Sequence, residues 1–247
     1  MIGIDEVGRG SLAGPVVVAA VAMPQSRVKL ELHSRTFAND TDSRAVREIP
    51  LWDSKKLTAR RREAWDAHLR AHPHIHFALA RVYPRGIERM NISRAANLAS
   101  VRACIRLLNK CKITKGIRVF LDGGLYLSPH RGSSRLPVRS RVKAGIKTQI
   151  CADTYNIRVN PRRYLRVSAT TIVRGDEKIK AVAAASIIAK VHRDRYMARL
   201  AKKHPHYGFE VHKGYGTKMH RAAIRKYGPS KAHRLTFLSK FYRVYRV

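Results

Sequence analysis

The opening of the chain places two apolar, mostly β-branched runs on either side of a glycine-rich segment. The first run covers residues 2–5, and the second covers residues 16–23, which read Val-Val-Val-Ala-Ala-Val-Ala-Met. Glycines at positions 8, 10 and 14 and a proline at position 15 lie between them. Because short β-branched runs bounded by glycine and proline are typical of strands, the chain is expected to begin with a β-hairpin that has an elaborated turn.

The pattern after this hairpin predicts helices interleaved with single strands. Thr58 is placed to cap a helix that runs to about residue 71, and residues 75–82 alternate as a third strand. Residues 92–108 and 181–204 have helical character, and residues 117–121 and 167–173 predict a fourth and a fifth strand. The order indicates an α/β fold with a mixed five-stranded sheet flanked by helices. We expect one main domain over residues 1–204 and a small helical region over residues 205–247.

Two polar segments interrupt these elements. Residues 25–49 have no hydrophobic period and mixed charge, which indicates an exposed loop. Residues 128–166 are rich in proline, serine and arginine, and are interpreted as a basic insertion. The density of arginines predicts that this insertion is an additional arm that binds a nucleic-acid duplex.

The charge of the chain points to a polyanionic partner. It has 51 Lys and Arg against 16 Asp and Glu, a formal net charge of +35, and clustered cations bind phosphate backbones by releasing condensed counterions. Three cysteines without metal-ligand spacing favour a reducing compartment, with the cytoplasm as the default. We expect no membrane span, because no apolar run approaches the roughly 20 residues that a span needs.

Carboxylates are scarce in this chain, and three of them stand at strand ends or helix starts with a glycine nearby. Asp5 ends the first predicted strand and is followed by Glu6, Asp122 ends the fourth, and Asp176 precedes a helix. Adjacent strand ends of an open α/β sheet converge on one crevice. Carboxylate oxygens suit Mg²⁺ or Mn²⁺, and two such ions about 3.5–4 Å apart hydrolyse phosphodiesters. Glu6 contributes only if the strand bends or ends there, since successive side chains point to opposite faces.

Four other acids compete for the metal. Asp53 is better suited to shaping a turn, and Asp194 follows Lys190 by four residues, which predicts an ion pair on one helix face. Asp153 lies in the basic insertion. Glu177 neighbours Asp176 and remains open as an outer acid of the site.

The order of several motifs resembles type 2 ribonucleases H, the ribonuclease HII family. Residues 4–17 read Ile-Asp-Glu-Val-Gly-Arg-Gly-Ser-Leu-Ala-Gly-Pro-Val-Val and resemble the opening signature of that family. Further matches are Asp-Ser-Lys-Lys-Leu at 53–57, Leu-Asp-Gly at 121–123, Gly-Asp at 175–176, Ala-Ala-Ser-Ile-Ile-Ala-Lys-Val at 184–191, Arg-Asp-Arg at 193–195, His-Lys-Gly-Tyr-Gly-Thr at 212–217, and Gly-Pro-Ser at 228–230 with His233, Arg234 and Phe237.

The resemblance implies a ribonuclease H-like fold and an endonuclease that cuts the RNA strand of RNA–DNA hybrids. It also implies nicking of duplex DNA on the 5′ side of an embedded ribonucleotide, with 5′-phosphate and 3′-hydroxyl ends and Mg²⁺ or Mn²⁺ as cofactor. The family's four metal-binding and catalytic acids match Asp5, Glu6, Asp122 and Asp176. We expect the enzyme to act as a monomer.

The resemblance also implies how the substrate is recognised. In that family the backbone of the residues that match Gly8, Arg9 and Gly10 lies against the ribonucleotide and senses its 2′-hydroxyl. Tyr215 matches a tyrosine that stacks on the deoxyribose after the ribonucleotide. A separate set of basic side chains is interpreted as contacts to substrate phosphates: Lys55, Lys56, Lys190 and Arg193.

Two alternative functions stay open at this point. Ribonuclease HIII is a related nuclease, but its Gly-Lys-Gly motif is replaced here by a motif centred on Arg9. A non-catalytic nucleic-acid-binding or ribosome-associated protein would explain the charge of the chain. It would not explain why acids stand at each of the strand ends and helix starts described above.

Overall fold

A single mixed sheet organises the computed structural model, which describes residues 1–24, 57–112, 117–127, 150–160, 163–239 and 241. Within these ranges the sheet has six strands in the spatial order β3-β2-β1-β4-β6-β5. The first three strands pair antiparallel, β1 with β4 and β4 with β6 pair parallel, and β5 returns antiparallel to β6. The strands are β1 Ile2–Val7, β2 Val16–Ala22, β3 His76–Val82, β4 Arg118–Asp122, β5 Ile150–Asn160 and β6 Arg163–Ile172.

Helices cover both faces of the sheet. Those in the described ranges are α1 Ala59–Ala71, α2 Pro84–Met90, α3 Ile92–Lys110, α4 Gly175–Lys178, α5 Lys180–Lys203, α6 Phe209–His212, α7 Lys218–Tyr227 and α8 Leu235–Leu238. Apolar residues of α3 pack on one face of the sheet, and those of α1 and α5 pack on the other. Strand β2 is buried on both sides, which explains its unbroken apolar run.

The predicted α/β class is confirmed, as are the opening hairpin and the cap of α1. Strands β1 and β2 pair from Ile2 with Ala22 to Val7 with Val17. The Thr58 hydroxyl accepts a hydrogen bond from the Arg61 amide at 3.3 Å, as expected of a residue at a helix N-cap.

The prediction of five strands was wrong by one, because the stretch interpreted as a basic insertion contains β5 and the start of β6. In β5, Ile157 and Val159 are buried, whereas Asn156, Arg158 and Asn160, which alternate with them, are exposed. An edge strand with one solvated face needs only alternate apolar residues, so its charged positions hid the strand in a basic stretch. Residues 25–49 and 128–149 lie outside the described residues.

The small residues at the start of α5 allow that helix to lie directly on β1. A Cβ atom added to Gly3 would stand 2.1 Å from the backbone carbon of Ala181, so a larger residue at position 3 would push the helix away. After α5 the chain forms a third apolar cluster, in which Phe209, Ile224 and Leu238 pack against Leu12 and Ala13. The end of the chain is thereby attached to the segment that joins β1 to β2.

Within the described ranges, no helix combines the length and the apolar character that crossing a membrane requires.

Candidate active site

Three carboxylates meet at the end of two parallel strands. Ile4 of β1 pairs with Leu121 of β4, so Asp5 and Asp122 follow side by side at the same edge of the sheet. Among the described residues, Asp5, Glu6 and Asp122 form a group whose ligand oxygens all lie within 4.8 Å of one another. The sequence predicted that these strand ends meet, and the structure brings these three acids together.

Asp5 and Glu6 are consecutive in a strand, yet both carboxylates reach this group. The Asp5 carboxylate is turned towards the next residue of its own strand: its Oδ1 atom accepts a hydrogen bond from the Glu6 amide at 2.7 Å. The register between β1 and β4 ends at Ile4, which leaves room beyond it for the Glu6 side chain. Glu6 therefore joins the group although β1 continues to Val7, whereas the sequence had led us to expect that the strand would have to bend or end there.

Glu6 is held in place on one oxygen only. Its Oε1 atom accepts a hydrogen bond from Arg9 Nη1 at 3.2 Å, and the same guanidinium lies near Ser93 and the Gly124 carbonyl. The other oxygen, Oε2, is buried and has no hydrogen-bond partner among the described residues. A buried carboxylate oxygen of this kind needs a ligand, and a divalent cation at the group would supply it.

Burial and mutual repulsion raise the pKa values of these acids. The pKa of Asp5 lies well above its usual value because the carboxyl is buried and because Glu6 and Asp122 are close, although a hydrogen bond from Ser186 opposes the shift. Burial raises the pKa of Glu6 to about 7, with Arg9 acting in the opposite direction. A cation bound among these groups would remove the cost of ionising them, so the donor set fits Mg²⁺ or Mn²⁺.

Asp176 lies beside this group and is not one of its three members. It is 1% exposed in the short helix α4, directly after Gly175, whose amide donates a hydrogen bond to Asp122 Oδ1 at 2.7 Å. The backbone next to Asp176 is therefore attached to a member of the group. Glu177 is more exposed, pairs with Arg174 at 3.7 Å and is not a member of the group of three acids.

The segment of residues 8–15, here called the glycine loop, follows the acids in the sequence. Two buried arginines donate hydrogen bonds to this loop and hold it in place. Arg234 donates to the carbonyls of Gly8 at 2.8 Å, Arg9 at 3.0 Å and Gly14 at 2.8 and 3.0 Å. Arg193 donates to Pro15, Ala13 and Ser11 of the same loop and to the carbonyl of Lys213. The loop is thus fixed to both α5 and the C-terminal region.

This arrangement corrects the interpretation of Arg193 as a phosphate contact. Its side chain is 0% exposed, and all three of its nitrogens donate to groups of the protein. Burial also lowers its pKa. Helical periodicity alone did not reveal that the glycine loop would cover this face of α5. Arg234 belongs to a matched motif with His233 and Phe237 but was given no functional role, because the motif does not show that its guanidinium binds the glycine loop.

The glycines of the loop serve different purposes. Gly8 has φ +85°, and a Cβ atom there would stand 2.1 Å from Arg193 Nε, so both its conformation and its surroundings require glycine. Gly10 is exposed, and a Cβ atom there would meet no described atom within 4 Å. The open space at Gly10 leaves the backbone accessible to a ligand.

Lys190 and Tyr215 lie together beside the loop. The Lys190 ammonium contacts Asp194 at 2.9 Å, which confirms the predicted ion pair on α5. Lys190 Nζ is 5.9 Å and Arg193 Cζ 5.4 Å from the centre of the half-buried Tyr215 ring. Lys55 and Lys56 lie outside the described residues, as does Asp53, and Asp153 lies in β5.

Comparison with known proteins places this arrangement in a family. The family model described as Ribonuclease HII matches residues 2–119 and 139–241. A ribonuclease HII of Nitratidesulfovibrio vulgaris is 37% identical over 236 residues, which cover 95% of this chain and 84% of that protein. One from Synechococcus sp. (strain WH7803) is 36% identical over 241 residues, covering 98% of this chain and 95% of that protein.

Solved structures agree with this result. The chain aligns with RNase HII in the PCNA:RNase HII complex from Archaeoglobus fulgidus with a TM-score of 0.57 and 26% identity, over 94% of this chain and 92% of that one. Ribonuclease H2 from Pyrococcus horikoshii OT3 shares the fold, with a TM-score of 0.60 and 23% identity over 99% of this chain and 98% of that one. The family model matches most of the chain, and the chain therefore belongs to the ribonuclease HII family.

Proposed function

We propose that this protein is an endoribonuclease that cuts the RNA strand of RNA–DNA hybrids and nicks duplex DNA 5′ to an embedded ribonucleotide. The observation that carries the proposal is the group of three carboxylates within 4.8 Å of one another in a chain with a net charge of +35. A cluster of carboxylates would repel the phosphates of a nucleic acid. It becomes useful in a protein that binds polyanions when divalent cations link the carboxylates to a phosphodiester.

Asp5, Glu6 and Asp122 are the proposed metal ligands, with Asp176 as a fourth acid from α4. Two ions of Mg²⁺ or Mn²⁺ bound there would activate a water and stabilise the leaving 3′ oxygen, giving 5′-phosphate and 3′-hydroxyl ends. Arg9 orients the Glu6 carboxylate through its 3.2 Å contact. The Gly175 amide orients Asp122 in the same way, through its 2.7 Å hydrogen bond.

The glycine loop is the proposed reader of the 2′-hydroxyl. Gly8, Arg9 and Gly10 follow Asp5 and Glu6 after one intervening residue, and Gly10 is exposed with open space around it. A backbone that is braced by buried arginines presents its amide and carbonyl groups at fixed positions, which suits recognition of a single hydroxyl. Tyr215 is the proposed contact to the sugar that follows the ribonucleotide, and Lys190 beside it is a proposed phosphate contact.

Two further properties complete the proposal. The enzyme acts as a monomer on one duplex at a time. It works in the reducing cytoplasm, which is supported by the free thiols of Cys104 and Cys111.

The test is cleavage of a duplex that carries a single ribonucleotide, with Mg²⁺, Mn²⁺ or EDTA. We expect a metal-dependent nick 5′ to the ribose, and Asp5→Asn should slow it by on the order of a hundredfold or more, since a metal ligand is lost. Glu210→Gln, which removes an exposed carboxylate on α6, is the matched control and should retain the rate. Equal cleavage of an all-DNA duplex would contradict the assignment. Binding without any cleavage would favour the non-catalytic alternative.

A further inference from the structure

Three histidines are buried together in the C-terminal region, beside the Tyr215 backbone. His212, His220 and His233 are 7%, 0% and 2% exposed. The rings of His212 and His220 stack with centroids 4.3 Å apart and an interplanar angle of 17°, and the His220 and His233 rings are 5.2 Å apart. None of these side chains belongs to the acidic group or to the glycine loop.

The hydrogen bonds around these rings determine where each proton is. His233 Nδ1 accepts a hydrogen bond from the Ser230 amide at 2.9 Å, so its proton is on Nε2. That Nε2–H group faces His220 Nε2 at 3.1 Å, which must therefore accept. The His220 proton is then on Nδ1, which donates to the Tyr215 carbonyl at 2.9 Å.

We call this chain from His233 through His220 to the Tyr215 carbonyl the histidine relay. Each bond in it has one donor and one acceptor only when both histidines are neutral, because a second proton on His220 would set two N–H groups against each other. Burial supports the neutral state, since it lowers the pKa of His220 to about 4 and the pKa of His233 to about 3. His212 flanks the relay: its Nδ1 accepts from the Gly214 amide at 3.2 Å, and its Nε2–H donates to the Tyr207 carbonyl.

The relay adds a hydrogen bond to a short segment that is also held at Gly214, whose carbonyl accepts from the Leu12 and Ala13 amides. Tyr215 lies between α6 and α7, where its amide donates to the His212 carbonyl and its carbonyl also accepts from the Thr217 amide. Its ring is half-buried beside Lys190 and Arg193. The hydrogen bond from the fully buried His220 ring limits rotation of the Tyr215 backbone. It thereby limits the directions in which the Tyr215 side chain can point.

We propose that His220 and His233 are positioning residues, which hold the Tyr215 backbone through the histidine relay and so set how strongly the enzyme distinguishes a single ribonucleotide from a long hybrid. The proposal rests on the proposed function and deepens it. It states that the discrimination between these two substrates depends on where the protons lie on His220 and His233, two buried side chains that do not touch the substrate.

Paired substitutions test the direction of the relay. In His220→Asn the side-chain amide nitrogen takes the place of Nδ1 and keeps the hydrogen bond to the Tyr215 carbonyl. In His220→Gln the side-chain amide takes the place of Nε2, so the contact with His233 is kept and the bond to the Tyr215 carbonyl is lost. At His233 the order is reversed, because Gln keeps the donor at Nε2 and Asn loses it. The measured quantity is the ratio of kcat/KM for a single-ribonucleotide duplex to kcat/KM for a long hybrid.

We expect His220→Gln and His233→Asn to lower this ratio by about tenfold, towards the value of Tyr215→Ala. His220→Asn and His233→Gln should stay within about threefold of the wild-type ratio. His206→Asn, an exposed histidine outside the relay, is the control. Equal loss on both substrates, or the same ratio for Asn and Gln at both positions, would overturn the proposal. The reciprocal pair at His233 also decides the matter if one His220 variant does not fold.

Nitrogen NMR shifts of the histidine rings test the relay independently of activity. At neutral pH the wild-type protein should show a neutral Nδ1–H form for His220 and neutral Nε2–H forms for His212 and His233. A charged His220 or its Nε2–H form would refute the relay even if the enzyme discriminates well. Conversely, if no ribonucleotide cleavage is found, the proposed function fails, while these spectra still report whether the relay exists.

Discussion

Replacing Glu6 with glutamine is expected to stabilise the metal-free protein while removing a proposed metal ligand. Glu6 is mostly buried beside Asp5 and Asp122, and burial raises its pKa from 4.5 to about 7. A carboxyl whose pKa is raised by folding stabilises the folded state below its unfolded pKa, and this contribution is lost as the pH rises through the folded pKa. Above about pH 7, the native state therefore carries the cost of an ionised, repelled carboxylate.

The size of the effect follows from the two pKa values. Each pKa unit corresponds to about 1.4 kcal/mol, so the ionised Glu6 lowers the free energy of unfolding by about 3 kcal/mol at about pH 8. This figure already includes the ion pair with Arg9, because that pair acts on the pKa of Glu6 in the direction opposite to burial. Glu6→Gln should therefore raise the free energy of unfolding by about 2–3 kcal/mol at about pH 8, and by much less at about pH 5.

Urea unfolding in EDTA measures this change, with tryptophan fluorescence as the signal because Trp65 is fully buried. Glu177→Gln, at an exposed position paired with Arg174, is the control and should change stability by about 0.5 kcal/mol or less. Added Mg²⁺ or Mn²⁺ should stabilise the wild type more than Glu6→Gln. The reasoning is refuted if Glu6→Gln is no more stable than the wild type at about pH 8, or if its advantage does not shrink on acidification.

Four further results are expected. Gly8→Ala should lower the free energy of unfolding by about 2 kcal/mol or more, since φ is +85° and Arg193 fills the space, as urea unfolding would show. Gly10→Ala should unfold like the wild type but bind a single-ribonucleotide duplex more weakly in a titration; normal affinity would remove this glycine from the substrate site. Tyr215→Ala should lose more activity on the single-ribonucleotide duplex than on a long hybrid, and equal losses would contradict its proposed role. Deleting residues 128–149 should flatten the salt dependence of duplex binding, and an unchanged slope would exclude a binding arm there.

Local pattern was sufficient for the elements that have strong periodicity or a clear start signal. The hairpin of β1 and β2, the Thr58 cap of α1 and the long helices α3 and α5 were all predicted within a few residues. The positions of Asp5 and Asp122 followed from a general property of parallel strands, namely that their ends meet at one edge of the sheet.

Features that depend on tertiary packing could not be predicted in the same way. Strand β5 was hidden because Asn156, Arg158 and Asn160 belong to a solvated face, which has the composition of a loop. Arg193 was taken for a surface cation, because its burial depends on a loop about 180 residues earlier in the chain. The Glu6 carboxylate joins the acidic group although it follows Asp5 directly in the same strand. These contacts cannot be predicted from the spacing of residues in the sequence.

The bonds from Arg234 to the glycine loop have a consequence for the order in which the enzyme is made. Gly8 leaves the ribosome 226 positions before the guanidinium that binds its carbonyl. Strands β1 and β2 can pair early in synthesis, and the acids can gather once α4 has emerged. The loop between those strands can bind Arg193 once α5 has been made, but it binds Arg234 only when translation reaches α8. In a nascent chain the acids can therefore come together before the glycine loop is fully fixed. The acids and the loop form a complete active site only after Arg234 has been made.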